Sequence, residues 1–257
     1  MALTTNLISY WKMDDASGGI VDAHGANDGT EAGNPTYEQA GKINYAIDFD
    51  GTGDWFDTAD APFDITNKLS ISVWIKPSSV AAQAAIISKY YLVYAIGQYK
   101  NLAFFCYING NQINSTTTAV VGTWYHMVMT YDENGGANNL KFYINGDFET
   151  AGTVVGAIAT NAYDLCIGAR ANNHVTPFLG LIDEVGIWDR VLTPDEITAL
   201  YNSGNGLAYP FAVGTNMKIN ISDVFKDVDS IQINIGDAWK DVISIQQNIG
   251  DVWKDVY

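Results

Sequence analysis

Apolar and polar residues alternate along this chain in short runs set between clusters of Gly, Asn, Asp and Pro. Leu69–Lys76, Tyr91–Ile96, Leu102–Ile108, Trp124–Tyr131, Leu140–Ile144 and Tyr163–Ile167 are such runs, and their composition and two-residue period predict strands. Two of them end in Ile-Asn-Gly, at Ile108–Gly110 and Ile144–Gly146. Asn and Gly both tolerate positive φ, so each predicts a tight hairpin. One segment breaks the period. In LTPDEITALYNSG, Thr193 stands at an N-cap, Pro194 at the first helical position, Glu196 where it closes a capping box, and Gly204 past the end. That arrangement predicts a single short helix. Many short strands with one helix predict an all-β, two-sheet antiparallel sandwich.

The phrases LISYWKMDDASGGIVDAHGANDGT, GKINYAIDFDGTGDW, LSISVWIKP, GTWYHMVMTYD, LKFYINGD and FLGLIDEVGIWDRVLTPDEITALYNSG follow one another between Asn6 and Phe211. Together they resemble the laminin-G-like domains of the concanavalin A-type lectin/glucanase superfamily. The resemblance implies a jelly roll of two antiparallel sheets, one of them concave and often ligand-bearing. It further implies binding of glycan or protein, and often a held calcium ion.

Charge narrows the partners. The formal charge is −16, with only 13 Lys and Arg among 257 residues and no basic cluster, so a nucleic-acid backbone is not an expected partner. No apolar run is long enough to span a bilayer as a helix. Met1 leads almost directly into a strand-like run, so no secretory leader is expected. Cys106 and Cys166 both lie in apolar runs. They read as buried free thiols or as a bridged pair, because spacing alone does not place two Cα atoms.

The related laminarinase-type glucanases carry Glu-x-Asp-x-x-Glu, since retaining hydrolysis needs two carboxyls close together. No two of Glu31, Glu38, Glu133, Glu149, Glu184 and Glu196 have that spacing. His24, His126 and His174 stand apart from any nucleophile motif, so no catalysis is expected. No Cys/His cluster with zinc spacing occurs, whereas hard oxygen donors suit calcium. VDAHGANDGT offers Asp22 and Asp28 around a Gly-rich turn, and GLIDEV offers Asp183. By the resemblance these three would hold one structural Ca2+; the competing reading makes Asp22 and Asp28 Asx-turn residues. For sugar, Trp11, Trp74, Trp124 and Trp188 read as core, and Trp55 beside a turn reads as more open. SKYYLVYAIGQYKN adds Tyr90, Tyr91 and Tyr99, and the loop GARANNHVTPF adds Arg170, Asn172 and His174. With Trp55 these are the candidate glycan contacts, loops being where binding residues concentrate.

The chain closes on a repeat. Asn220, Asn234 and Asn248, Asp223, Asp237 and Asp251, and Phe225, Trp239 and Trp253 recur at a spacing of 14. A Gly-rich exit near 211–216 predicts a domain boundary, with a sandwich over 1–212 and a repeat tail over 213–257. Gly236-Asp237 and Gly250-Asp251 suit two-residue hairpin turns. In that register Ile235 faces Ala238, Asn234 faces Trp239 and Ile233 faces Lys240, leaving Ile231, Ile233, Ile235 and Val242 on one apolar face. So small a sheet does not cover that face by itself. The tail, including Trp239 and Trp253, is expected to hold the chain in a homo-oligomer or a larger assembly. Phrases of the NIGDVWKDV type also resemble the ends of phage structural proteins. The resulting expectation is a non-enzymatic virion protein displaying a domain that binds surface glycan, with a secreted bacterial carbohydrate-binding module or adhesin as the alternative.

Overall fold

The computed structural model describes residues 2–90, 92–100, 103–211, 232–235, 238–241, 246–249 and 252–255. The chain divides into two compact units, Met1–Phe211 and Ala212–Tyr257. In the first unit the strands are β1 (Leu7–Trp11), β2 (Thr30–Ala32), β3 (Thr36–Ala40), β4 (Tyr45–Asp50), β5 (Trp55–Asp57), β6 (Lys68–Pro77), β7 (Ala84–Ser88) and β8 (Tyr94–Gln98). They continue as β9 (Ala103–Ile108), β10 (Asn111–Thr118), β11 (Tyr125–Asp132), β12 (Leu140–Ile144), β13 (Asp147–Gly152), β14 (Cys166–Ile167) and β15 (Leu179–Trp188), followed by the helix α1 (Pro194–Tyr201).

These strands form two sheets whose ladders are all antiparallel. The eight-stranded sheet runs β13-β12-β11-β6-β15-β4-β3, with β1 also paired to β15. The seven-stranded sheet runs β10-β9-β8-β7-β14-β5-β2. Between them lies the main core. Ile71, Val73, Met127, Met129 and Phe142 of one sheet pack there with Ile86, Ile96, Phe104, Cys106 and Ile167 of the other. Burying each such side chain contributes about 1.5–3 kcal/mol, so this layer dominates the folding energy.

The two outer faces are treated differently. Val128, Tyr143 and Trp188 point away from the main core and pack instead with Ile197 and Leu200 of α1 and with Leu3, Leu192 and Phe211. The middle of the outer face of the eight-stranded sheet is therefore covered by the helix and by both ends of the unit. Trp188 Nε1 donates to the Leu3 carbonyl at 2.6 Å. Arg190 donates to both oxygens of Glu196 at 2.7 and 2.8 Å and to the Thr5 carbonyl at 2.7 Å. The capping box is as expected: Thr193 Oγ1 accepts from the Glu196 amide at 3.3 Å, and Glu196 accepts from the Thr193 amide at 2.8 Å.

Local signals placed the hairpins well. Asn109 and Gly110 have φ of 50° and 74°, and Asn145 and Gly146 have 54° and 83°, the doubly positive pair of a type I′ turn. The expected strand Tyr163–Ile167 shrinks to Cys166–Ile167. Its first carbonyl, of Tyr163, is taken by Lys89 Nζ at 2.6 Å and is lost to any ladder. The expected Tyr91–Ile96 starts at Tyr94, the Val93 amide donating instead to the Tyr90 carbonyl at 2.9 Å. Cys106 faces the main core and Cys166 the opposite side of the same sheet. Both are free thiols, since a strand's alternation turns them away from each other.

In the second unit, β16 (Gln232–Ile235) pairs with β17 (Ala238–Asp241), and β18 (Gln246–Ile249) with β19 (Val252–Asp255). Asn234 lies opposite Trp239 and Asn248 opposite Trp253, the same register in both copies. The expected positions of Ile231 and Val242, and the first copy of the repeat, fall outside the described residues. Among the described residues no helix is long and apolar enough to cross a membrane.

Lys89 is fully buried at the end of β7, where Nζ donates to the carbonyls of Asp60 at 3.0 Å and Tyr163 at 2.6 Å and pairs with the Asp60 and Asp64 carboxylates. Breaking a buried pair costs more than the pair contributes when whole. Lys89→Met is expected to lower stability by roughly 3 kcal/mol, a melting temperature drop of roughly 6–12 °C. A loss below about 1 kcal/mol in calorimetry would show that this strap is solvated.

Candidate functional site

With the middle of one sheet covered, side chains remain available on the outer face of the seven-stranded sheet and at the β11–β13 end of the other. Its composition follows from register. Gln112 lies opposite Tyr107, Tyr107 opposite Ala95, Ala95 opposite Ser88, Ser88 opposite Cys166 and Cys166 opposite Asp57. A parallel row sets Asn114 opposite Phe105, Phe105 opposite Gly97 and Gly97 opposite Ala85. The middle of both rows carries Ala85, Ser88, Ala95 and Gly97, whose small side chains leave a hollow of about 250 Å³.

Its walls are Phe105 and Tyr107 on one side and Arg170 and Thr176 on the other, with Gln83 also on the lining. The two rings sit 4.9 Å apart at 65°, and Tyr99 meets Phe105 edge-on at 6.4 Å. The opposite wall is pinned by the Ala85 amide donating to the Thr176 carbonyl at 2.9 Å and the Gly168 amide donating to Ile86 at 2.8 Å. Gly97 is required here: a Cβ would stand 2.3 Å from both the Ala84 carbonyl oxygen and the Phe105 ring. A larger groove of about 800 Å³ runs along β11 to β13 and the first turn of α1. Turn residues form much of its lining, and it too carries a ring pair, Tyr143 and Phe148 at 5.7 Å and 75°, but with the carboxylates Asp132 and Asp147 beside it and no guanidinium among the described residues.

The residues singled out in the sequence reach this region unevenly. Arg170 lines the hollow and Tyr99 stands behind Phe105. Trp55 and His174 stack on each other at 4.2 Å and 8°, so each covers one face of its partner. Asn172 is exposed with φ of 79°, and Tyr90 leans on Tyr163 at 5.4 Å. Tyr91 lies outside the described residues. Phe105, Tyr107, Ser88, Gln83 and Thr176 were not singled out. The alternation in AFFCYI carried a signal, because Cys106 pointing inward turns Phe105 and Tyr107 outward.

The three expected calcium ligands do not meet. Asp22 Oδ1 accepts from the amides of Tyr10, His24 and Gly25 at 3.0, 3.0 and 2.9 Å, and Oδ2 from that of Asn27 at 3.1 Å. Burial pushes its pKa up, but these amides outweigh burial and hold it below the usual value. Asp28 accepts from the Asp22 amide at 2.8 Å. Both are turn residues. Asp183 is not gathered with them: the one trio of acid, thiol and imidazole groups within 4.8 Å of one another, among the described residues, is Asp57, Cys166 and His174. The set Asp22, Asp28 and Asp183 thus does not fit a single ion. Asp183 alone keeps a feature that does. Its Oδ2 accepts from Lys42 and Ile43 at 2.7 and 3.0 Å, while its buried Oδ1 has no partner. Burial, then the charge of Glu184, pushes Asp183 up to about 8, and burial pushes Glu184 to about 8 as well. Glu184 has φ of 49° within an irregularity of β15, and the Tyr10 hydroxyl donates to it.

His126 is a strand residue. It is buried, its Nε2 lies 2.8 Å from Ser72 Oγ, and burial lowers its pKa to about 3. Trp11, Trp74 and Trp188 are buried as expected, and Trp124 is half-buried.

Comparison with known proteins agrees with this architecture. A family described as the Concanavalin A-like lectin/glucanases superfamily matches residues 50–198. The sushi, von Willebrand factor type A, EGF and pentraxin domain-containing protein 1 of Rattus norvegicus is 26% identical over 203 residues, 69% of this chain and 6% of that protein. The chain therefore spans about 6% of the length of that relative. Domain 4 of AbnA, an extracellular arabinanase from Geobacillus stearothermophilus solved with arabinotriose, has a TM-score of 0.59 and 23% identity, covering 75% of this chain and 97% of that one. A Trypanosoma rangeli sialidase mutant with trans-sialidase activity has a TM-score of 0.63 and 15% identity, covering 80% of this chain and 35% of its own. The fold is thus shared with modules of glycan-active enzymes. Matched over more than half its length and folded as two antiparallel sheets, the chain belongs to the concanavalin A-like lectin/glucanases superfamily.

Proposed function

We propose that this chain is a non-catalytic glycan-binding protein that takes carbohydrate in the hollow on the outer face of the seven-stranded sheet. The observation that carries the reading is the half-buried Tyr107 ring, backed by the buried Phe105, facing Arg170, Thr176 and Gln83 across a floor of small residues. The Tyr107 ring offers an apolar face to sugar C–H groups, and the polar side chains opposite it can exchange hydrogen bonds with hydroxyls. The non-catalytic half is supported by the lining, in which none of the described residues is a carboxylate, whereas glycoside hydrolysis normally takes two. Arabinose oligosaccharides are the first probes, because a similar fold was solved with arabinotriose.

The tail is proposed as the attachment element. Two successive hairpins in identical register offer sheet edges, which favour pairing with another chain. Display on a virion, with secretion as the alternative, rests on the tail phrases alone, and the glycan reading does not depend on it. Calcium is proposed only at Asp183, where the unpartnered oxygen lies; there a bound ion would neutralise two buried carboxylates and tie the turn 41–45 to β15.

Three outcomes follow. On a glycan array the chain binds at least one oligosaccharide class, and Tyr107→Ala weakens that binding about tenfold or more, near 1.4 kcal/mol, without unfolding the sandwich. Unchanged affinity in the variant, or release of reducing ends that one carboxylate substitution abolishes, would contradict the reading.

Light scattering of the intact chain is expected to show an oligomer, and that of residues 1–212 a monomer. Ile233→Asp should weaken the assembly, and two monomers would end the attachment proposal.

Asp183 gives the third. In the folded chain without metal it keeps its proton to about pH 8, against an ordinary value of 3.8. The unfolded chain releases that proton first, so stability falls as pH rises from about 4 to about 8. Asp183→Asn should flatten part of this fall in chelator, by at most roughly 5 kcal/mol, with Glu184 supplying the remainder. Calcium should raise the melting temperature of the parent and not of the variant. Equal responses of both proteins to calcium would remove it from this site.

A further inference from the structure

Asp57, Cys166 and His174 are far apart in sequence, and the fold brings their ligand atoms within 4.8 Å of one another. Asp57 and Cys166 are direct partners across β5 and β14, so sheet register sets their side chains on one face. His174 comes from the loop between β14 and β15, where it has φ of 51° and its amide donates to the Arg170 carbonyl at 2.9 Å. Its Nε2 lies 3.1 and 3.0 Å from the two oxygens of Asp57. Ligand atoms bound to one tetrahedral zinc at its usual bond lengths stand about 3.3–3.8 Å apart. The imidazole and carboxylate, now at hydrogen-bond spacing, need to part by only a few tenths of an ångström, and the thiol lies within 4.8 Å of both.

A second residue holds both accessible ligands in place. The Trp55 ring stacks on the His174 imidazole at 4.2 Å and 8°, while its Nε1 donates to Asp57 Oδ2 at 3.0 Å. Groups that orient ligating side chains in this way are a regular part of metal sites. Cys166 is buried beside Ala169 and Ala171, whereas His174 and Asp57 keep 30% and 31% of their side-chain surface exposed. An ion thus has a route from solvent through these two side chains.

We infer that Asp57, Cys166 and His174 form a binding site for a transition-metal dication of the zinc class. One thiolate, one imidazole and one carboxylate select zinc or cobalt over calcium or magnesium, which prefer oxygen alone. Binding transfers the Cys166 thiol proton to solvent, forms the metal–sulfur bond, and uses the Nε2 lone pair of the neutral His174 ring with its proton on Nδ1. Dication, thiolate and carboxylate then sum to zero charge, which suits a half-buried place. The site stands apart from the glycan reading: either can fail while the other holds.

The test is titration of the reduced, metal-free full chain with Co2+ and Zn2+. One equivalent should bind, the cobalt form should show a thiolate-to-metal charge-transfer band, and zinc should raise the melting temperature. His174→Ala should weaken binding at least a hundredfold, and Cys166→Ser should abolish the band. Trp55→Phe keeps a stacking ring but removes the Nε1 donor, and should weaken binding about 10–100-fold. Cys106→Ser, on the other face of the sheet, should leave the band intact. Should Cys166→Ser fold poorly, the loop variant His174→Ala still decides. No bound equivalent, no thiolate band, or affinity unchanged in His174→Ala would each overturn the site.

Discussion

The two-residue period of an antiparallel strand decides what this molecule can offer to a partner. Each strand of a sandwich has one face committed to the shared core, and the other must be sealed or left to solvent. Here the eight-stranded sheet is covered over the middle of its outer face. Trp188, Tyr143 and Val128 lie under Ile197 and Leu200 of α1, and the Arg190–Glu196 pair with the Thr193 cap fixes that helix. Remove that cover and a wide apolar face would be wet. The seven-stranded sheet has no helix of its own among the described residues, and its outer side chains are small or polar in the middle, with Phe105 and Tyr107 toward one end and Trp55 toward the other.

That asymmetry connects features that look unrelated along the chain. Gly97 clears space for Phe105, the small residues of β7 and β8 make a floor, and the loop of Arg170 and Thr176 makes a wall through bonds to Ala85 and Ile86. The same loop brings His174 onto Trp55 and beside Asp57. One loop therefore contributes both to the hollow and to the proposed metal site. The buried carboxylates Asp183 and Glu184 lie in the other sheet, so ion binding there would act on the turn 41–45 rather than on the hollow.

Local chemistry was legible in the sequence wherever a few neighbouring residues determine the outcome. The two Asn-Gly turns, the capping box and the register of the tail hairpins depend on positions within a few residues of one another. Choices made by topology were not legible. Nothing near Asp183 shows that Asp22 will be saturated by the amides of Tyr10, His24, Gly25 and Asn27. Nothing near Cys166 shows that β14 will pair with β5 and set it against Asp57. Phe105 and Tyr107 could be assigned to a common face by alternation, but which face stays open depends on where α1 packs.

Amide chemical-shift mapping tests the binding face most directly. The full chain, labelled with nitrogen-15, would be titrated with the tightest oligosaccharide found on an array. Shifts are expected in three stretches, 83–98, 103–108 and 168–176, with the eight-stranded sheet unaffected. Shifts concentrated in the groove around 130–148 and 191–198, or no glycan that binds at all, would contradict the proposed binding face.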